Sequence, residues 1–281
     1  LGPLDLKSSK KMMGTGADIC LPDELPLEGL FTRNGYRPAM ALKRLEPKAY
    51  FASLNPSEIL LSRSELLDGQ EEDFLFEPEL EEDREAVIRF AGMFVAVNGV
   101  RTLRKLGTLW EPDFVLLNRD DEGKAVGGCV CFPTAWNLSE KRNQPVLRIH
   151  EPVPGMNAHL GSSIGQFIAR LEPGECYQRS NWSLTSSRKM NQRPGDSIPE
   201  IASNCNPDAT YLRVEWQALI ALDARRILFG IRIYHCALEA VRQNRGAALL
   251  LAENLRTMTE EMLRYKRLTR CKERVIGLLG G

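Results

Sequence analysis

An α+β fold is predicted for this chain by three observations. Five segments carry strand character and follow one another in hairpin order. Helical segments fall between the second and third of them, and a helical run closes the sequence. No G-x-G-x-x-G or Walker motif follows a strand, which sets the pattern apart from a parallel dinucleotide-binding sheet. The strands are residues 114–117 and 125–132, joined by the polar turn 118–123, then 176–185. Last come 211–222 and 226–234, joined at Asp223-Ala224-Arg225.

The remaining segments follow in order. Residues 1–35 hold several Gly and Pro with little periodicity and read as a flexible N-terminal arm, leaving 36–281 as a single domain. Residues 38–67 carry short apolar clusters, with Asn55-Pro56-Ser57-Glu58 as a helix start. The acidic stretch 71–85, interrupted by Phe74, Leu75 and Phe76, reads as a solvated face whose carboxylates suit a helix N-terminus. Residues 84–97 are helical in pattern, with Val87, Ile88, Phe90, Ala91, Phe94 and Val95 on one side. Residues 135–143 and 158–171 read as helices. The polar stretch 186–208, with Pro194-Gly195, reads as a long exposed loop. Residues 238–241, 246–259 and 260–279 complete the helical end.

Composition bounds the function. The chain has 281 residues, 43% of them hydrophobic, enough for a sizeable core in one large domain or two small ones. Lys plus Arg and Asp plus Glu both number 37, so bulk charge points to neither nucleic acid nor an anionic membrane. No apolar run approaches the ~20 residues of a membrane span, and the first residues lack the apolar core of a secretory signal. The expectation is a soluble cytoplasmic protein. Seven cysteines, an odd count without a framework, argue against a disulfide scaffold. The close pair Cys129-Val130-Cys131 would share one strand face. No C-x-x-C pair occurs, which argues against a zinc ribbon and against an iron–sulfur cluster held by this chain.

Among three histidines, His150 stands out, in Ile149-His150-Glu151-Pro152-Val153-Pro154-Gly155. Imidazole is the commonest biological metal ligand and the usual proximal ligand of haem iron, and a proline-stiffened turn would hold its ring in place. A lone histidine is more often a surface or hydrogen-bonded core residue. Arg148, alternating with it along an extended segment, would point the same way; its ordinary reading is a solvated arginine. His159 opens a helix as the rival ligand, and His235 ends a strand. The c-type haem attachment motif is absent, so any haem would be non-covalent.

The ordered series carries a resemblance. Trp110-Glu111-Pro112-Asp113-Phe114 precedes Cys131-Phe132-Pro133-Thr134-Ala135-Trp136-Asn137-Leu138-Ser139-Glu140-Lys141, the His150 turn and Arg179-Ser180-Asn181-Trp182-Ser183-Leu184. Leu212-Arg213-Val214-Glu215-Trp216-Gln217, Phe229-Gly230-Ile231-Arg232-Ile233-Tyr234 and Arg264-Tyr265-Lys266 follow. Over roughly residues 39–270 the chain resembles the α-subunit family of haem-dependent oxidative N-demethylase, also called dimethylamine monooxygenase. The resemblance implies a PAS-like antiparallel five-stranded sheet cupping haem b. It implies oxidation of a small secondary amine by O2, with electrons from NADPH through FMN and 2Fe–2S carriers on partner reductase subunits. The sequence departs from the family at Trp216, where a second Arg is usual, at Gly230 in place of Thr, and at Arg267 in place of Gly. Two of these positions lie on strands expected to face the cofactor.

The resemblance makes His150 the candidate metal ligand. It makes Arg179, Arg213 and Arg232 candidate partners of the haem propionates, since a guanidinium fork matches a carboxylate; the alternative is a structural ion pair, such as Arg213 or Arg232 with Glu215. Trp182 and Trp216 would wall the pocket, although strand aromatics are usually core. By residue type alone, Asp113, Tyr177, Glu215 and Tyr234 are candidates for binding a cationic amine or delivering protons. Two further readings stay open: a haem-binding sensor without turnover, and a cofactor-free interaction domain.

Overall fold

A computed structural model of the chain describes residues 21–52, 57–69, 71–196 and 198–280. The expected helix start at Asn55-Pro56, and the part of the expected arm within residues 1–20, lie outside the described residues. From Leu21 onward the arm expectation fails. Leu25, Leu27, Leu30 and Phe31 are buried, and Asn254 fastens this stretch by donating to the Thr32 carbonyl at 2.7 Å and accepting from the Thr32 hydroxyl at 2.8 Å.

The fold is α+β, built on one antiparallel sheet. Its strands are β1 (Lys43–Arg44), β2 (Leu75–Phe76), β3 (Asp113–Asn118), β4 (Lys124–Cys129), β5 (Cys176–Thr185), β6 (Tyr211–Ala221) and β7 (Arg226–Ala237), in the order β1-β5-β6-β7-β3-β4-β2. The five long strands are those expected from the sequence. The sheet has seven because β1 and β2 close its two edges, and two residues are too few to show an alternation. β4 ends at Cys129 rather than Phe132 because Asp113 captures the next amides: Cys131 and Phe132 donate to its carboxylate at 2.7 and 2.8 Å.

The helices are α1 (Pro47–Phe51), α2 (Ser57–Gly69), α3 (Glu71–Phe74), α4 (Glu81–Ala91), α5 (Leu103–Gly107), α6 (Val146–Ile149), α7 (Met156–Arg170), α8 (Leu238–Gln243), α9 (Arg245–Thr257), α10 (Glu260–Tyr265) and α11 (Lys272–Leu278). The expected helix 135–143 is instead irregular, with one 3-10 turn at Ser139–Lys141. Ala135 and Asn143 at its ends take φ of 59° and 57°, the left-handed region that a right-handed helix cannot contain. The same cause divides the expected helix 260–279, where Arg267 has φ of 57° between α10 and α11. The acidic stretch is also not one solvated face, since Phe74, Leu75 and Phe76 are buried within it.

Side chains alternate across the sheet, so each strand serves two environments. On one face Phe114, Leu116, Trp216, Ala218 and Leu228 meet helices α1, α4 and the segment before β3. The Tyr50 ring stands edge-on to Trp216 at 4.8 Å, and its hydroxyl donates to the Trp216 carbonyl at 3.0 Å. Trp110 donates its indole N–H to the Phe51 carbonyl at 3.0 Å. The other face of the sheet is covered by α7 and irregular segments, and it is here that the structure leaves space.

Among the described residues the most deeply buried ion pair joins a helix to the sheet. Arg63 of α2 meets Asp113 at the start of β3, and neither is more than 1% exposed. Arg63 also donates to the Gly107 and Glu111 carbonyls at 2.7 and 3.3 Å. Burial pushes the Asp113 carboxyl upward, while Arg63 and the two amides oppose that shift. Replacing Arg63 by Met would strand the carboxylate without its counter-ion. Breaking such a pair costs about 3–5 kcal/mol, so the urea unfolding midpoint of Arg63→Met is expected to fall sharply at pH 7; a loss below about 1 kcal/mol would remove this pair as an anchor of the fold.

Candidate functional site

A cavity of about 830 Å³ lies between the sheet and α7. That falls in the ~300–1,000 Å³ range of small-molecule and cofactor sites. Its floor is the apolar part of the sheet, including Val115, Leu117, Leu219 and Phe229. The facing wall is the apolar side of α7, with Leu160, Ile164 and Phe167. The stretch expected as an exposed loop is a third wall: residues 192–196 and 198–201 line the space. Arg193 fastens it through an ion pair with Asp73 at 2.6 Å.

His150 opens on this cavity from the C-terminal end of α6. The segment is not extended, as the sequence reading expected, but one helical turn. Pro145 starts it, and the His150 amide donates to the Val146 carbonyl at 3.2 Å. At ~100° per residue Arg148 therefore points well away from His150; it is exposed and pairs with Glu151 at 2.7 Å. Burial, then the Arg179 charge, pull the His150 imidazole down to about 4, with the Val146 carbonyl opposing. The ring is neutral at pH 7. Its Nδ1 is buried and lacks a well-formed hydrogen bond.

The other histidines are elsewhere. His159 is exposed on α7 and does not line the cavity. His235 lies inside β7 rather than at its end, with Nε2 3.1 Å from Nη1 of Arg213. Burial and that arginine bring it down to about 3.

The three strand arginines have different fates. Arg213 is spent on the protein: Nε donates to Thr134 Oγ1 at 2.9 Å, Nη1 to the Lys189 carbonyl at 3.2 Å, and Nη2 to the Phe132 and Met190 carbonyls at 3.0 and 2.7 Å. Arg232 is on the opposite face of the sheet. It pairs with Glu111 at 2.5 Å, donates to the Ala52 carbonyl at 2.8 Å and covers the Tyr50 ring at 4.9 Å. The alternative pairing of either with Glu215 is not what forms. Arg179 alone of the three keeps capacity toward the cavity. Nη1 donates to Gln217 Oε1 at 3.1 Å, and Nε is buried without a partner.

The distal candidates separate in the same way. Glu215 lines the cavity, held by Gln217 Nε2 at 2.8 Å and Asn181 Nδ2 at 3.4 Å. Trp182 borders it. Asp113 is consumed by Arg63 and backbone amides. Tyr177 packs edge-on against Phe167 at 5.4 Å and is not in the lining. Tyr234 is on the far face, where burial pushes its hydroxyl up to about 12. Lys266, Gln217 and Tyr36 join the lining without having been singled out; their only sequence signal is Lys266 and Gln217 standing within the quoted series.

Among the described residues no three His, Cys, Asp or Glu side chains gather as a metal cage. A lone neutral imidazole is therefore what this cavity offers to a cofactor metal. The sequence model of one protein family, haem-dependent oxidative N-demethylase, alpha subunit-like, matches residues 80–276. The chain belongs to that family. The N-demethylase alpha-subunit-like match spans α4 through most of α11, and so includes the sheet floor, α6, His150, Arg179, Glu215 and Lys266. The stretch 36–42 that borders the cavity lies before it. Trp216 and Gly230, the two strand positions at which the sequence departs from the resemblance, are on the face away from the cavity. Arg267 is at the cavity.

The depressed imidazoles of His150 and His235 set a pH dependence. Their native values lie below the unfolded value, so the unfolded chain binds protons first as pH falls. Stability is expected to decline as pH falls from about 6.5, down to about 4 for His150 and about 3 for His235. Urea unfolding of His150→Gln should show a flatter decline between pH 7 and 5 than the parent; identical slopes would mean that His150 is not held neutral.

Proposed function

We propose that the chain is the haem-carrying subunit of an oxidative N-demethylase, acting as a monooxygenase on a small secondary amine of the dimethylamine type. The carrying observation is the imidazole of His150 at the C-terminal end of α6, its Nδ1 buried without a well-formed hydrogen bond and the residue open to an apolar-floored cavity of about 830 Å³. The fit of haem b to this cavity is supported by donor chemistry: one imidazole for the iron, aliphatic walls for the porphyrin, and Arg179 for a propionate. Haem, when bound, supplies the O2-activating redox chemistry. A PAS-like haem cup is the finer reading of the fold, and it rests on the family resemblance.

In this reading each residue has a defined task. The Val153 amide donates to the His150 carbonyl at 3.0 Å, and Pro152 lies between them in the chain, so the turn stiffens the backbone that carries the ring. Arg179 presents its free Nε to an anion. Glu215, fixed by two amides, offers a carboxylate for the cationic amine. Trp182 closes the edge, and the walls from α7 and residues 192–201 exclude water around the reacting amine. Electrons would come from partner reductase subunits carrying FMN, 2Fe–2S and NADPH sites, for which this sequence has no cluster or nucleotide motif. Among the described residues no helix is long and apolar enough to cross a membrane, and a cytoplasmic site of action is part of the proposal.

Two results test it. His150→Ala is expected to fold and to lose most of its haem Soret absorbance after expression in haem-supplemented cells. Full haem content with an unchanged axial-ligand spectrum would end the assignment of His150. The purified chain should not oxidise NADPH until a flavin and iron–sulfur reductase is added, and formaldehyde should then appear with dimethylamine. Rapid NADPH oxidation by the chain alone would contradict the subunit reading. A haem band with gas binding but no amine response would instead support a sensor.

A further inference from the structure

The charge at one part of the cavity wall is not balanced by the chain itself. Arg179 and Lys266 face a single carboxylate, Glu215, and each interacts electrostatically with it. Arg213 also interacts with Glu215 but is bonded to protein carbonyls, so positive charge exceeds negative around this carboxylate. Tyr36 and Tyr265 border the same group: Tyr36 feels Arg179, and Tyr265 feels Glu215.

Lys266 is placed with unusual restraint for a lysine. Nζ donates to the Trp182 carbonyl at 2.6 Å, lies 3.4 Å from Asn181 Oδ1, and sits 5.3 Å from the centre of the Trp182 ring. An ammonium has three N–H donors, so one remains after these two contacts. The φ of 57° at Arg267 ends α10 directly after Lys266 and turns the chain away. Arg179 brings the second free donor, its unpartnered Nε. The two open donors belong to side chains that line the same cavity and repel one another. A cluster of this kind is stabilised by an incoming anion, and a planar carboxylate can accept from both donors.

We infer that Lys266, beside Arg179, forms a carboxylate-binding pole of the cavity. Burial also pulls the Lys266 ammonium down to about 8, with Glu215 opposing and Arg179 adding to the shift. The group remains mostly charged at neutral pH and gains from a bound carboxylate. Two sources fit that chemistry: a porphyrin propionate, or the carboxylate of an N-methylated amino acid whose cationic nitrogen reaches Glu215. The inference rests on the cavity being the cofactor and substrate site.

The test compares the parent with Lys266→Met and Lys266→Arg, with circular dichroism and thermal unfolding confirming the fold of each. Affinity for haem b and for its uncharged dimethyl ester is measured by absorbance. Binding of N-methylglycine and of dimethylamine is measured by calorimetry, with and without haem. Lys266→Met is expected to lose about tenfold, the scale of one charge-assisted hydrogen bond, while Lys266→Arg stays close to the parent. A loss for haem b but not for its ester identifies a propionate as the anion. A loss for N-methylglycine but not for dimethylamine identifies a substrate carboxylate. A folded Lys266→Met that loses neither overturns the pole. If no form of the protein takes up haem, the cofactor reading fails by itself. N-methylglycine binding to the haem-free protein then decides the pole: a Lys266-dependent affinity keeps it, and no binding ends it.

Discussion

Arg213 is the interaction on which the cavity depends. An open space beside an apolar sheet face is unfavourable unless its walls are held off the sheet. Apart from α7 the walls here are irregular chain, with few ladder bonds to support them. Arg213 reaches from the middle of the sheet and donates to carbonyls of two separate segments, Phe132 on one side and Lys189 and Met190 on the other. The Thr134–Gln192 bridge continues the same junction. A guanidinium suits the task because its donors lie in one plane and point in several fixed directions at once. The cost is a charge withdrawn from water, and burial does bring Arg213 down to about 10. The Thr134 hydroxyl accepts from Nε and backbone carbonyls accept from Nη1 and Nη2, which compensates.

That assignment explains why Arg179, rather than either other strand arginine, is left for a ligand. All three sit on long central strands and look alike in sequence. Strand parity separates Arg232 from the others: its register partner Trp216 shares the helix-covered face, where Glu111 awaits it. Arg213 and Arg179 share the cavity face, but only Arg213 has carbonyls of two loops within reach. Arg179 has one side-chain amide, Gln217, and an open Nε. The candidate site is thus defined as much by which cations the fold consumes as by which residues line the space.

The long strands and most helices were legible because each carries many residues of periodic pattern. The failures were local and had physical causes. A left-handed residue such as Ala135 leaves no mark in an amphipathic count, so residues 135–143 looked helical. His150 was legible as a candidate because prolines flank it. Its helical setting was not, since one turn is shorter than any period. Asp113 and Tyr234 were chosen by chemical type, and type does not reveal a partner. Asp113 is claimed by Arg63, fifty positions earlier in the chain, a contact no local pattern encodes. Lys266 was visible only as part of a quoted motif, because its value comes from the Trp182 carbonyl that holds it.

The two strand positions at which the sequence departs from the resemblance, Trp216 and Gly230, form one packing unit. Trp216 and Gly230 project on the same face, and Tyr50 lies against both. A Cβ on Gly230 would stand 2.7 Å from the Tyr50 ring, too close to be accommodated without movement. The Tyr50 ring in turn packs edge-on against Trp216. A bulky aromatic at 216 and an empty position at 230 therefore fill a shared volume together, in the manner of a size-compensated core. Trp216 also donates its indole N–H to Gln178 at 2.7 Å, so its polar atom is satisfied. Position 216 thus faces the helix-covered core and not the cavity. Among the departures, Arg267 is the one that borders the cavity, where it meets Glu200 at 3.5 Å. Divergence in what the cavity accepts is accordingly to be sought at the end of α10, beside Lys266, and not on the central strands.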